Sequence, residues 1–346
     1  MRPLTIGRLL LQCAILASIL FCVMVLALKF GAIHVSLYGL GRDLLRVFLG
    51  KSTEISSEYS LIVLNIRLPR ILLGAIVGAS LSVAGTSFQA LLRNPLADPY
   101  VLGVSSGAAL GAILALLIEP HLALTPEIAS VFTPLGGFIG ATVAIAAVYF
   151  LGRREGRIDS NTLLLGGVIT ASLLYAVIIL LLTILPSSNV RGMAYWLMGE
   201  LSNLPSKPLA WVLRAGFLAA TAVIYTTASD LNLLLSGEKE AMHLGVDVHR
   251  IRLIVYIAAS ALTGLAVAVS GSIGYVGLLV PHVMRMIFGS DHRILIPASA
   301  FGGAIAVVIA DTIARTIAAP ADLPVGAITA IAGAPLFIYL LRRRLA

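Results

Sequence analysis

The sequence holds one Gly-Lys-Ser triplet, Gly50-Lys51-Ser52. A phosphate-binding loop needs a further glycine five positions earlier, so that backbone N–H groups can wrap a phosphate, and Leu45 stands there instead. The six histidines show no spacing that would gather them around a metal ion. No nucleophile elbow or paired-carboxylate pattern stands out, so no catalytic residue and no metal ligand is assigned. Cys13 and Cys22 lie in one apolar run, at a spacing that does not set them side by side on a helix. Apolar packing suits them better than a disulfide or a metal site.

What remains is a set of charged residues and helix breakers. In Arg67-Leu-Pro-Arg70 the proline suits a first helical turn, and the two arginines fall one turn apart on one face. They read either as interfacial arginines that snorkel or as a docking patch whose guanidiniums grip carboxylates of an acidic partner. Asp311 and Arg315 lie four apart, as a plain i,i+4 pair or as a functional ionisable site inside a span. Arg93-Asn94-Pro95-Leu96-Ala97-Asp98-Pro99 makes a stiff turn at a helix boundary, either a simple loop or a constriction. Between Asp230 and Arg252, the stretch Glu238-Lys-Glu-Ala-Met-His-Leu-Gly245 has the marks of a short helix. Glu238 and Glu240 suit its positive end, His243 its last turn and Gly245 a left-handed cap. Its apolar Ala241, Met242 and Leu244 suit a helix pressed into a soluble partner.

The elements that must hold these residues follow from composition. The chain has 346 residues, 59% hydrophobic and 12% charged, where soluble chains carry roughly 25% charged residues. Such a chain needs hydrocarbon as solvent. Its net charge of +8 is scattered singly in short loops with no basic stripe, so nucleic acid is not an expected partner. Runs near the ~20 residues that span a bilayer give about ten segments. They are Leu9–Leu28, Ile71–Leu91, Val101–Leu117, Val131–Leu151, Leu163–Leu185, Leu209–Ala228, Leu253–Val269, Val276–Phe288, Leu295–Ile313 and Val325–Leu341. The first run is too long for a secretory signal and reads as a retained span. With the N-terminus inside, Arg2, Arg8, Arg93, Arg153, Arg154, Arg157, Lys239, Arg250, Arg252, Arg293 and Arg342 to Arg344 all fall inside, and so does the C-terminus. The loop from Lys29 to Glu58 runs against this rule: it falls outside yet carries Arg42, Arg46 and Lys51. Glycines four apart, Gly74 and Gly78, Gly103, Gly107 and Gly111, Gly136 and Gly140, suit close helix packing in lipid. Leu81-Ser-Val-Ala-Gly85 resembles Val267-Ala-Val-Ser-Gly271 near the opposite end of another segment, as an inverted repeat would. The expectation is one all-α membrane domain over residues 1–346. Charges kept to segment ends argue against an ion-coupled secondary transporter, with Arg285 and Asp311 as the exceptions.

In order along the chain, Arg67-Leu-Pro-Arg70, Gly78-Ala-Ser-Leu-Ser-Val-Ala-Gly85 with Gln89, Asn94-Pro-Leu-Ala97-Asp-Pro99 and Leu102-Gly-Val-Ser-Ser-Gly107 resemble the FecCD family of permeases. So do Trp196-Leu-Met-Gly199, Gly277-Leu-Leu-Val-Pro-His282, Ser290-Asp-His-Arg293, Ala310-Asp-Thr-Ile-Ala-Arg315, Leu323-Pro-Val-Gly326 and Gly333-Ala-Pro335. That family imports iron–siderophore complexes, haem and cobalamin. The resemblance implies a type II ABC importer permease fold and a homodimer in a bacterial or archaeal cytoplasmic membrane. It implies two cytoplasmic ABC ATPases, which bind the ATP and Mg²⁺, and a periplasmic or lipid-anchored binding protein; no cofactor is expected in this chain. Arg67, Arg70 and Arg315 would receive acidic residues of the binding protein. Asn94 and Leu96, with Ser160 and Asn161, would sit at cytoplasmic gates, although the family often has Thr or Ser where Asn161 stands. Glu238, Ala241, Met242, Leu244 and Gly245 would belong to the coupling helix that seats in the ATPase.

Overall fold

In lipid no water satisfies a bare N–H or C=O, so each crossing segment must bond its own backbone as a helix. The computed structural model describes residues 5–31, 62–154, 157–158, 160–184 and 187–345. The basic residues Arg42, Arg46 and Lys51 and the Gly50-Lys51-Ser52 triplet lie outside them. The helices are α1 (Ile6–Lys29), α2 (Leu68–Leu91), α3 (Val104–Ile118), α4 (Pro126–Gly152), α5 (Ser160–Ile184), α6 (Ser187–Met198) and α7 (Lys207–Thr226). They continue with α8 (Ala228–Ser236), α9 (Glu238–His243), α10 (Val248–Ser270), α11 (Val276–Phe288), α12 (His292–Ala314) and α13 (Val325–Leu345). A two-residue antiparallel hairpin, β1 (Arg153–Arg154) with β2 (Arg157–Ile158), joins α4 to α5. Among the described residues eight helices are long and apolar enough to cross a membrane. The shorter apolar α11 and α13 bring the set to the ten segments expected from the sequence.

Three features depart from the sequence reading. Pro69 stands in the first turn of α2, as expected, but the helical backbone begins before it. A π-helical turn, Val63–Arg67, precedes α2, with the Leu68 N–H bonded to the Val63 carbonyl; the wide turn absorbs the bond that Pro69 cannot donate. The polar stretch from Asp230 holds two short helices, α8 and α9, and α6 is a further short helix. Finally, the two similar five-residue stretches differ in setting: Gly85 lies inside α2, whereas Gly271 ends α10 with φ +63°.

The middle of the molecule is α2. Its most apolar stretch is 83% buried, against 6% for α1, which lies at the periphery. It packs on α10, α11 and α12. Glycine allows this, because a Cβ on Gly78 would stand 2.1 Å from the Gly303 carbonyl oxygen and one on Gly303 2.1 Å from that of Gly78. Similarly, a Cβ on Gly85 would stand 1.8 Å from the Gly277 carbonyl oxygen, the group that Pro281 leaves without its helical donor. Between α3 and α4, Gly107 faces Gly140 and Gly111 faces Gly136. The expected small-residue seams are therefore present at Gly78, Gly107, Gly111, Gly136 and Gly140, whereas Gly74 meets only side chains and Gly103 serves as a left-handed cap at φ +76°.

Candidate functional site

Two polar clusters occupy the two ends of α2. At the far end, where α1 finishes and α2 begins, three arginines converge although each is at most 8% exposed. Arg67 Nη1 donates to the Leu28 carbonyl at 2.8 Å and to that of Lys29 at 3.4 Å. Arg315 Nη2 donates to the Ala27 carbonyl. Together these guanidiniums satisfy the last carbonyls of α1, which a helix end leaves without partners. Arg70 forks between two carboxylates, Asp311 Oδ1 at 2.9 Å and Asp322 Oδ2 at 2.6 Å. Asp311, 1% exposed, also faces Arg315 Nε at 3.6 Å. The i,i+4 pair foreseen between Asp311 and Arg315 is present, enlarged by Arg70 into a buried network.

The basic patch is therefore turned into the chain rather than outward. Asp322, with its side chain 42% exposed, is the open member of the Arg70–Asp311–Arg315–Asp322 set. Its partnership with Arg70 bridges 252 residues and leaves no local trace in the sequence. The two mid-span charges singled out as possible ion-coupling sites are both engaged. Asp311 is held as above, and Arg285 Nη2 donates to Gln89 Oε1 at 2.9 Å, while Gln89 Nε2 donates to the Leu278 carbonyl at 3.1 Å.

At the near end, α2 closes in a Schellman turn: the Asn94 N–H bonds the Gln89 carbonyl at 3.1 Å and the Arg93 N–H that of Ala90 at 3.2 Å. The segment that follows is braced throughout. Asn94 Oδ1 accepts from the Leu96 N–H at 2.9 Å, and Asp98 Oδ1 accepts from the Tyr100 N–H at 2.8 Å. Burial pushes the Asp98 carboxyl up to about 6. The Tyr100 hydroxyl both donates to the Ile273 carbonyl and accepts from the Ile273 N–H, each at 3.0 Å. Ser105 Oγ donates to Ser272 Oγ at 3.1 Å. The break before α3 is thus stitched to the break between α10 and α11.

Beside this segment, Glu238 at the start of α9 accepts from Arg93 Nη2 at 2.9 Å and from Arg252 of α10. Gly245 follows α9 at φ +88°, the left-handed position expected of it. One expectation for α9 fails. Ala241 is fully buried in the chain's own core, so it anchors α9 and cannot be part of a surface that meets a partner. Met242 and Leu244, 53% and 66% exposed, do point outward. Farther along, Asn232 of α8 donates to Asp291 Oδ1 and accepts from the His292 N–H, each at 2.8 Å. Hydrogen bonds from Arg293, ahead of that from Asn232, hold the Asp291 carboxyl down at about 2. Leu96 is exposed; Ser160 opens α5, with Asn161 exposed beside it. Both expected gate segments thus stand at this end, on different elements.

The model of the FecCD transport family matches residues 17–343. The chain is 43% identical to the cobalamin import system permease BtuC of Halobacterium salinarum, over 82% of this chain and 74% of that one. To the hemin transport system permease HmuU of Yersinia pestis it is 42% identical, over 81% and 83%. A solved metal-chelate type ABC transporter in an inward-facing conformation superposes with a TM-score of 0.79 at 28% identity, covering 98% of this chain and 99% of that one. On these grounds the chain belongs to the FecCD transport family and is a multi-pass membrane permease subunit of an ABC importer.

Proposed function

We propose that two copies of this chain form the translocation core of an importer for metal chelates in a bacterial or archaeal cytoplasmic membrane. The near end and both termini lie in the cytoplasm, a reading supported by the excess of Lys and Arg at the near-end segments. An ABC ATPase dimer, which carries the ATP and Mg²⁺, seats against Met242 and Leu244. A periplasmic or lipid-anchored binding protein docks at the far end, near Arg67, Arg70 and Arg315. Because the donors of Arg70 are taken within the chain, an incoming carboxylate would exchange with the exposed Asp322 there. Such rim charges set register and encounter rate more than affinity. Closure of the ATPases moves α9, the two bundles rock against each other, and the segments at Asn94, Leu96, Ser160 and Asn161 open toward the cytoplasm. Cargo of the cobalamin, haem or iron–siderophore class suits a path with few unpaired charges.

The observation that carries this reading is α2 itself. One buried helix runs from the guanidinium cluster to the loop beside α9, so events at the two faces share a rigid element. The test replaces Met242 and Leu244 together with Asp. Both side chains are exposed, so the chain should fold and reach the membrane while its ATPase no longer co-purifies. Undiminished co-purification would show that the ATPase binds elsewhere.

A further inference from the structure

The strained backbone at Arg93 is the observation with the longest reach. At C′ of the Schellman turn it adopts φ +48°, the left-handed region that glycine enters freely and a side chain does not. A non-glycine held there is worth a functional question. The side chain gives the answer, for it crosses to the first residue of α9 and binds Glu238 Oε1. That same oxygen receives Arg252, whose side chain is only 8% exposed. Glu238 is thereby seated on α10 by a buried guanidinium and tied to the α2 loop by a half-exposed one.

We propose that Arg93 and Glu238 form the tie that delivers movement of α9 to the gate segment, with Arg93 as a positioning residue for transport. This rests on the reading of α9 as the ATPase-facing element. Two features make the tie effective. Buried Ala241 fixes α9 in the chain's own core while Met242 and Leu244 stay exposed, so a push on the outer side moves the helix as a body. Beyond Arg93, the bonds Asn94–Leu96, Asp98–Tyr100 and Tyr100–Ile273 leave the segment little freedom of its own. A displacement entering at Arg93 travels through it to the break between α10 and α11. A mere turn closure would be served better by glycine at position 93, and the reach to Glu238 gives the arginine a role that offsets the strain.

Arg93→Gly separates the two roles, because it relieves the backbone while deleting the tie; Arg93→Lys retains the charge and most of the reach. Both are compared with the parent in proteoliposomes containing the ATPase and the binding protein, scoring cargo uptake per ATP hydrolysed together with ATPase co-purification. Arg93→Gly should keep its thermal midpoint and its ATPase, and should still hydrolyse ATP, while uptake per ATP falls on the order of tenfold. Arg93→Lys should recover most of that ratio. An Arg93→Gly chain that moves cargo at the parent ratio overturns the proposal, as does one that fails to fold, since the arginine would then be a structural cap. If Met242→Asp with Leu244→Asp leaves the ATPase bound, it is the assignment of α9 that falls, irrespective of the result at Arg93.

Discussion

Removal of Arg70 gives the sharpest test of the far-end network. Arg70→Met keeps a side chain of similar length and deletes the charge. Asp311, 1% exposed, then faces only Arg315 Nε at 3.6 Å, without a hydrogen bond to it. Deleting one member of a buried ion pair costs about 3–5 kcal/mol, because the remaining charge is left desolvated. Arg315 offsets part of that, which puts the expected cost near the lower limit, about 3 kcal/mol. The half-exposed Asp322 pairing adds at most about 1 kcal/mol, reduced further by screening. At roughly 1.4 °C per kcal/mol for a chain of this size, the unfolding midpoint should fall by about 4 °C. Thermal scans in a single detergent, following tryptophan fluorescence, measure it. Asp311→Asn in the Arg70→Met background removes the stranded charge, so the pair should cost about 1–3 kcal/mol less than the sum of the single changes. Strict additivity, or an unmoved midpoint in Arg70→Met, would refute a buried charge network. Asp322→Asn, as the control, should barely shift the midpoint.

Two further predictions concern packing and pH. Gly303→Ala sets a methyl 2.1 Å from the Gly78 carbonyl and 2.2 Å from Ser82 Oγ, so α2 and α12 must part, at a cost of about 1–3 kcal/mol or more. Gly137→Ala meets its nearest atoms at an ordinary 3.4 Å and should be close to neutral; equal midpoints for the two variants would contradict the seam. For Asp98 the folded value of about 6 lies above the unfolded one, so its contribution is intact at low pH and is lost as pH rises through 6. By pH 7.5 the native carboxylate costs at most about 3 kcal/mol. Asp98→Asn keeps an acceptor for the Tyr100 N–H, so its midpoint relative to the parent should improve between pH 5 and pH 7.5. A difference that ignores pH would exclude a buried ionising carboxyl here.

The segments and their ends were legible because hydropathy and helix caps are local properties. Gly245 and the acidic start of α9 are instances: a left-handed cap and a dipole-matched first turn can be read within eight residues. Asp311 with Arg315 could be read from i,i+4 spacing, but the distant partners of the arginines could not. Arg93 meets Glu238 across 145 residues, Arg70 meets Asp322 across 252, and Arg67 and Arg315 meet carbonyls, which every residue carries. Nothing in spacing announces such pairs. Ala241 misled for a related reason, since an apolar residue in a polar stretch has two surfaces it could cover, and only the packed chain shows which. The π-turn before Pro69 was hidden because proline suits a first helical turn and so reads most simply as a beginning.

The capping of α1 also constrains how the molecule is made. Its last carbonyls are closed by Arg67, which emerges soon afterwards, and by Arg315, 288 residues downstream of Ala27. The α1 helix is therefore fastened in two instalments, one from a residue soon after it and one from a residue 288 positions downstream of Ala27. Until Arg315 is in place, α1 is only half secured, so its docking against α12 completes the closure of its end.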